Sequence, residues 1–316
     1  MVKIDLITGF LGCGKTTFIK KYAKYLMDRG MNIGILENDF GAVNVDMMML
    51  NELEGDKCEL EMIAGGCDKE THIRRFRTKL IAMGMCGYDR VIVEPSGIYD
   101  VDEFFDVLRE EPLDKWYQIG NVITIVDAKL EDDLSEEADF VLASEAACAG
   151  TVVISHFDEA ENTQLEKTFS HLNNALSMIQ CERRYEISGD DIVKCNINEL
   201  TEKDFDKLIN AGYKIENYCK MDIDINEVFK TEYFMNLGME EDRLQRIVNG
   251  LFGSKRYGDI FRIKGFFRKK DDNGWMQLNA TREKTNISKI DKGQDVLIVI
   301  GKNLNKDEIS QLLEEK

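Results

Sequence analysis

Residues able to do chemistry gather first in Gly9-Phe10-Leu11-Gly12-Cys13-Gly14-Lys15-Thr16, with Thr17 following. The spacing is that of a phosphate-binding loop, in which glycines let successive backbone amides turn inward around a pyrophosphate. In such a loop Lys15 reaches the β- and γ-phosphates, and the Thr16 hydroxyl is placed to ligate Mg²⁺. A second group lies in Glu37-Asn38-Asp39-Phe40-Gly41. Its carboxylates Glu37 and Asp39 could bind a metal or its waters or position an attacking water, and a solvated loop is the competing reading. The third group is Val91-Ile92-Val93-Glu94, running into Pro95-Ser96-Gly97. An apolar run that ends in an acid, with a glycine three residues on, suits an acid that holds Mg²⁺ through water. The Gly97 amide would then touch the γ-phosphate.

These groups need elements to carry them. Lys3-Ile4-Asp5-Leu6-Ile7 reads as a short buried strand entering the loop. After the loop, Phe18, Ile19, Tyr22, Ala23 and Leu26 recur at helical spacing, and Gly30 can stop that helix. Further strands are expected at 32–36, 58–63, 88–94, 121–128, 151–154 and near Tyr185-Glu186-Ile187. Between them, helical faces carry Ile73, Phe76, Leu80 and Ile81, then Leu142, Ala146 and Ala147, then Leu165, Phe169, Leu172 and Leu176. Arg74, Arg75, Arg77 and Lys79 read as a solvated helix face, and Met47-Met48-Met49-Leu50 as a packing patch rather than a soft-metal site. Strands alternating with helices predict an α/β domain over 1–190 with a doubly wound, mainly parallel sheet. Its ligand loops should converge at the strand C-terminal ends. Residues 191–224 sustain no periodicity and read as a connecting segment. Over 225–316, strands at 259–267 and 275–278 around Asp271-Asp272-Asn273-Gly274, a strand at 295–301 and a last helix with Ile309, Leu312 and Leu313 predict a smaller C-terminal α+β domain.

Composition narrows the partners. Against 41 basic residues stand 59 acidic ones, a net charge of −18 over 316 residues. That argues against a general nucleic-acid or anionic membrane surface, which needs clustered Lys and Arg. No apolar run approaches the roughly 20 residues that span a bilayer, and the immediate entry into a strand leaves no expectation of a signal peptide. The eight cysteines include no C-x-x-C pair and read as reduced thiols of a cytoplasmic protein.

Taken together the motifs resemble the CobW-like P-loop GTPases, the cobalamin-synthesis and metallochaperone family. Gly9 to Thr17 matches the family's G-F-L-G-x-G-K-T-T, and Asn38-Asp39-Phe40-Gly41 resembles its N-E-F-G, with Asp46 at a later aspartate. Glu94-Pro95-Ser96-Gly97 resembles E-[ST]-x-G, and Val126-Asp127-Ala128 matches V-D-A. In the C-terminal part, Arg262-Ile263-Lys264-Gly265 and Ile300-Gly301-Lys302-Asn303-Leu304 resemble R-x-K-G and I-G-x-x-L. Three departures matter. Where the family carries G-C-x-C-C, Gly66-Cys67-Asp68-Lys69-Glu70 keeps one cysteine, and Ala42 stands in place of a switch glutamate. Where the family reads guanine with N-K-x-D, this chain has Ser155-His156-Phe157-Asp158.

The resemblance implies a P-loop NTPase fold that binds and slowly hydrolyses GTP to GDP with Mg²⁺. Lys15 and the loop amides of Gly9, Gly12, Cys13 and Gly14 would stabilise phosphoryl charge, Thr16 and Glu94 would serve Mg²⁺, and Glu37 and Asp39 would place the water. Asp158 keeps the carboxylate that accepts from guanine, Ser155 can hydrogen-bond, and His156 could stack on the base, with relaxed base choice expected. Its implied partners are a guanine nucleotide and a client metallo- or corrinoid protein, with no nucleic acid and no membrane. Glu37, Cys67, Asp68, Glu70 and His72 could form a weaker mixed site for Zn²⁺ or another transition metal, since one thiolate cannot supply the soft set that zinc prefers. Two other readings stand beside this one: a nucleotide-gated binding module with negligible turnover, and a small-molecule kinase.

Overall fold

The computed structural model describes residues 1–39, 45–64, 69–95, 101–131, 134–219, 229–238, 240–268, 274–282, 284–290 and 293–314. The chain divides into two compact units, Met1–Asp222 and Ile223–Lys316.

The first unit runs β1 (Val2–Thr8), α1 (Lys15–Asp28), β2 (Ile33–Asp39), α2 (Val45–Leu50), β3 (Cys58–Ala64), α3 (Lys69–Gly84), β4 (Arg90–Pro95) and α4 (Val101–Arg109). It continues with α5 (Leu113–Trp116), β5 (Tyr117–Asp127), α6 (Glu136–Cys148), β6 (Thr151–Ser155), α7 (Asn162–Met178), β7 (Ile192–Lys194) and α8 (Glu202–Leu208). The strands form a sheet ordered β3-β2-β4-β1-β5-β6-β7, and every pairing is parallel. Period-two alternation sends Ile7, Ile35, Ile92, Ile123 and Ile125 into a core with Phe18, Ile19 and Tyr22 of α1 and Phe205 and Leu208 of α8. Their neighbours Leu6, Leu36, Val91, Val93 and Val122 pack on the other face with Phe76 and Leu80 of α3 and Phe104 and Phe105 of α4. Both faces are thus covered, as a parallel sheet requires. β1 lies in the middle, so its C-terminal end delivers the glycine loop to the centre of one sheet edge.

The strand expected at Tyr185-Glu186-Ile187 is not one. The Tyr185 amide donates to the Asn173 side chain at 2.8 Å and the Tyr185 hydroxyl to the Ala146 carbonyl at 2.7 Å, so this segment is bound to helices. The last strand of the sheet is β7, which with α8 lies in the stretch expected to be irregular. Strand β5 starts four residues early, at Tyr117. Its register against β1 shifts between Ile4 and Leu6, and there Gly120 faces Asp5, whose Oδ1 would sit 2.3 Å from a Cβ at that position.

The second unit comprises β8 (Phe229–Met235), α9 (Glu241–Phe252), β9 (Asp259–Arg268), β10 (Trp275–Ala280), β11 (Thr285–Ile290), β12 (Val296–Lys302) and α10 (Lys306–Glu314). Its strands pair antiparallel in the order β11-β10-β9-β12-β8. Leu244, Ile247, Val248 and Leu251 of α9 and Ile309 and Leu313 of α10 pack with Ile263, Phe267, Leu278, Leu297 and Val299 of the sheet. Strands β8 and β11 and helix α9 add to the elements expected from sequence. Among the described residues no helix is long and apolar enough to cross a membrane.

Candidate functional site

The glycine loop leaves β1 at Thr8 and turns into α1 at Lys15. Gly9, Gly12 and Gly14 have φ of 143°, 87° and 99°, in the region that L side chains avoid. Space forbids a side chain at Gly9 as well: a Cβ there would stand 2.3 Å from the Ile125 carbonyl oxygen and 2.6 Å from Cys13 Sγ. Gly9→Ala is therefore expected to lower nucleotide affinity at least tenfold and to destabilise the first unit by about 1–3 kcal/mol. Nucleotide titration and urea unfolding of the variant check this.

Lys15 is 6% exposed and Thr16 7%. The Lys15 ammonium donates to the Gly9 carbonyl at 2.7 Å, folding the loop's cation onto its own backbone. Thr16 Oγ1 donates to Glu94 Oε1 at 3.0 Å, joining residues 78 apart in sequence at the ends of α1 and β4. Glu37, on β2, is the register partner of Glu94, and both are buried. Two buried carboxylates side by side, with a hydroxyl beside them, repel each other unless a cation joins them. The donors are all hard oxygens, the set that Mg²⁺ takes. The structure therefore brings Lys15, Thr16, Glu37 and Glu94 to one sheet edge and suits a magnesium site.

The other end of the site follows β6. Ser155 is buried and donates to the Val126 carbonyl at 3.4 Å, so its hydroxyl faces the sheet. His156 adopts a left-handed φ of 50°, and its Nδ1 pairs with Asp127 Oδ2 at 2.9 Å. Asp127 also accepts the Lys129 amide at 2.9 Å. Asp158 is exposed and accepts Asn196 Nδ2 at 3.0 Å; Asn196 also caps the short turn that follows β7. From that turn Ile197 Cδ1 comes within 3.1 Å of where a Gly14 Cβ would lie, so the segment after β7 adjoins the glycine loop. Asp127 and Asn196 hold His156 and Asp158, and sequence reading gave neither a role. Asn196 lies in a stretch without periodicity, where only its position after a strand could have marked it.

Of the remaining candidates, Gly97, Cys67, Asp68 and residues 40–44 lie outside the described residues, as do the side chains of Asp39 and Asp46. His72 on α3 is buried, and burial, helped by the Arg75 charge, pushes its pKa down to about 4. Among the described residues no three His, Cys, Asp or Glu side chains converge as a metal site would require.

Residues 3–182 match the family described as CobW/HypB/UreG, nucleotide-binding domain, and residues 235–316 match the cobalamin synthesis protein cobW C-terminal domain. The chain belongs to the CobW/HypB/UreG family. The zinc chaperone YjiA of Escherichia coli (strain K12) is 28% identical over 185 residues, which cover 54% of this chain and 55% of YjiA. The chain thus spans about half the length of that relative. The zinc-regulated GTPase metalloprotein activator 1 of Schizosaccharomyces pombe is 22% identical over 350 residues, covering 96% of this chain and 83% of its own. A crystal structure of the Zn(II)-bound YjiA GTPase from E. coli aligns with 98% of this chain and 97% of its own at 16% identity and a TM-score of 0.36. Membership in the CobW family matches the resemblance read from the motifs, and a parallel-sheet P-loop unit followed by an antiparallel-sheet unit matches the expected fold class.

Proposed function

We propose that this CobW-family chain is a Mg²⁺-dependent GTP-binding and hydrolysing protein that acts as a nucleotide-gated chaperone in the cytoplasm. It inserts a metal or cofactor into a client metallo- or corrinoid enzyme. One observation carries this reading: the Thr16 hydroxyl, at the position a phosphate loop gives to Mg²⁺, is hydrogen-bonded to Glu94 at the end of β4. In this assignment Thr16 and Glu94 hold Mg²⁺, which when bound neutralises charge on the phosphates. Lys15 and the loop amides from Gly9 to Thr17 hold the β- and γ-phosphates. Glu37 and Asp39 are assigned to placing the attacking water, and the Gly97 amide to contacting the γ-phosphate. The proposed GTPase unit is Met1–Asp222 and the C-terminal unit Ile223–Lys316, because β7 and α8, within the connection expected over 191–224, join the sheet and core of the first.

Asp158 reads the base, because a carboxylate accepts from both the guanine N1–H and its exocyclic amine. His156, fixed by Asp127, lies half-exposed beside it and takes the stacking role. Asp158→Asn is expected to weaken GTP binding about 10- to 100-fold, the loss of hydrogen bonds to a charged acceptor. It should improve binding of xanthosine triphosphate, whose 2-carbonyl suits an amide donor; competition titrations of the two nucleotides decide it.

Zinc chaperones among the relatives support zinc as the cargo class. Glu37, Cys67 and His72 are the residues of this chain proposed for it, with His72 held neutral and so able to ligate. The test is phosphate release from GTP by the purified chain with Mg²⁺ and with a chelator. Turnover that requires Mg²⁺ supports the proposal; tight binding without turnover would replace it by a gated binding module, and a phosphorylated acceptor by a kinase.

A further inference from the structure

Glu145 is an acid in the buried, largely apolar C-terminal part of α6. Its neighbours on α6, from Phe140 to Cys148, are buried, and Glu145 is itself 0% exposed. Among the described residues, neither carboxylate oxygen reaches hydrogen-bond geometry with a partner. The catalytic scheme above does not use it. Yet the helix around it is fastened beneath the glycine loop. The Glu145 carbonyl accepts Thr124 Oγ1 at 2.9 Å, and Thr124 Oγ1 shares a 2.8 Å hydrogen bond with Thr8 Oγ1, the last side chain before Gly9. The charged group that acts on the Glu145 carboxylate is Lys15, and the Gly9 amide acts on it too. Both belong to the loop, where the Lys15 ammonium is held by the Gly9 carbonyl at 2.7 Å.

Among the described residues, no charged group other than Lys15 acts on this carboxylate from the elements packed on α6. The buried residues of α4 are Val101, Phe104, Phe105, Val107 and Leu108. His171 of α7 pairs with Asp139 near the start of α6, and Arg183, in the segment after α7, binds the Ala146, Ala147 and Ala149 carbonyls at the end of α6. Burial pushes the Glu145 pKa up to about 8, against the opposing pull of Lys15 and the Gly9 amide. The acid thus sits where, at alkaline pH, a change in the position of Lys15 shifts its charge.

We propose that Glu145 is a positioning residue for the empty phosphate loop: charged, it holds Lys15 folded inward, and it takes a proton from solvent when a nucleotide draws Lys15 onto its phosphates. This deepens the nucleotide reading above and rests on it. No bond other than the O–H of Glu145 forms or breaks. Above pH 8, where Glu145 is charged before nucleotide binds, binding is then coupled to uptake of about one proton, and alkaline conditions favour the empty loop.

Calorimetric titration of GDP with Mg²⁺, at pH 7 and pH 9 in two buffers of different ionisation heat, counts the protons in the intact chain and in Glu145→Gln. For the native chain, affinity should be about tenfold weaker at pH 9 than at pH 7, with proton uptake at pH 9. Glu145→Gln should lose both the pH effect and the uptake. Equal proton counts and parallel pH profiles in the two proteins would overturn the proposal, whereas no binding in either overturns the nucleotide reading instead. A second arm needs no nucleotide. The folded pKa of Glu145 lies above its unfolded value, so its stabilising contribution is complete below the unfolded pKa and is lost as pH rises through about 8. Urea midpoints of the native chain should therefore fall from pH 6 to pH 9 more steeply than those of Glu145→Gln. Parallel slopes would also count against the proposal.

Discussion

Glu94→Gln lowers GTP turnover by about 10²- to 10³-fold, the range seen when one preorganised electrostatic group is lost. The amide keeps the shape of the side chain and can still accept the Thr16 hydroxyl now received at 3.0 Å. What disappears is a negative charge at the end of β4, in register with Glu37. The Mg²⁺ proposed between Thr16 and Glu94 then loses its anionic anchor, and binding of the GTP–Mg²⁺ complex should weaken. Binding of GDP in the presence of a chelator should stay within about twofold of the native chain, since the phosphate contacts come from the loop. Stability should not fall, because removing one of two adjacent buried carboxylates relieves their repulsion. Single-turnover phosphate release, chelator-dependent titration and a urea midpoint separate these effects. Turnover within tenfold of native would remove Glu94 from the catalytic assignment.

Arg90→Met is the largest expected loss of stability, about 3–5 kcal/mol. Arg90 is 3% exposed and Asp5 0%, and the guanidinium, at the start of β4, pairs with the Asp5 carboxylate in the middle of β1. Asp5 also accepts the Tyr22 hydroxyl at 2.8 Å and the Asn121 amide at 2.8 Å. Asn121 in turn accepts the Gly212 amide at 2.8 Å and donates to the Ile209 carbonyl at 3.2 Å. One cluster therefore ties β1, β4, β5, α1 and the chain after α8 together. Burial and the Asp5 charge hold the Tyr22 hydroxyl firmly protonated, so it serves as a donor. Methionine fills the space of the arginine stem but leaves the Asp5 charge buried with only neutral donors. Urea unfolding measures the loss, and Asp5→Asn combined with Arg90→Met should restore part of it. A single-variant loss under 1 kcal/mol would show that the cluster does not need its cation.

Much of the nucleotide unit was legible because its strands are buried on both faces and punctuated by glycine. Lys15, Thr16 and Glu94 could be named from motifs, since a loop, a helix start and a strand end each leave a local mark. Elements that draw stability from their neighbours were harder to read. Strand β11 carries Thr285, Asn286, Ser288 and Lys289 and is largely exposed, so no apolar alternation announces it. Helix α8 has seven residues, and its clearest sign is the Thr201–Asp204 capping box rather than a long apolar face. Tyr185 misled in the other direction: its β-forming type reflects burial against α6 and α7, not strand pairing. Glu145 did leave a signal, an acid amid Leu142, Ala143, Ala146 and Ala147. Spacing alone does not say that the helix lies under the loop. Likewise Asp127 and His156 are 29 residues apart and meet only because β5 and β6 are neighbours.

The measurement closest to the central claim is competitive binding of GTP and ATP to the purified chain with Mg²⁺, followed by calorimetry. Asp158, held by Asn196, should favour guanine by tenfold or more, about 1.4 kcal/mol. Equal or tighter binding of ATP would contradict the account and make the chain an ATPase or relaxed nucleotidase on the same scaffold.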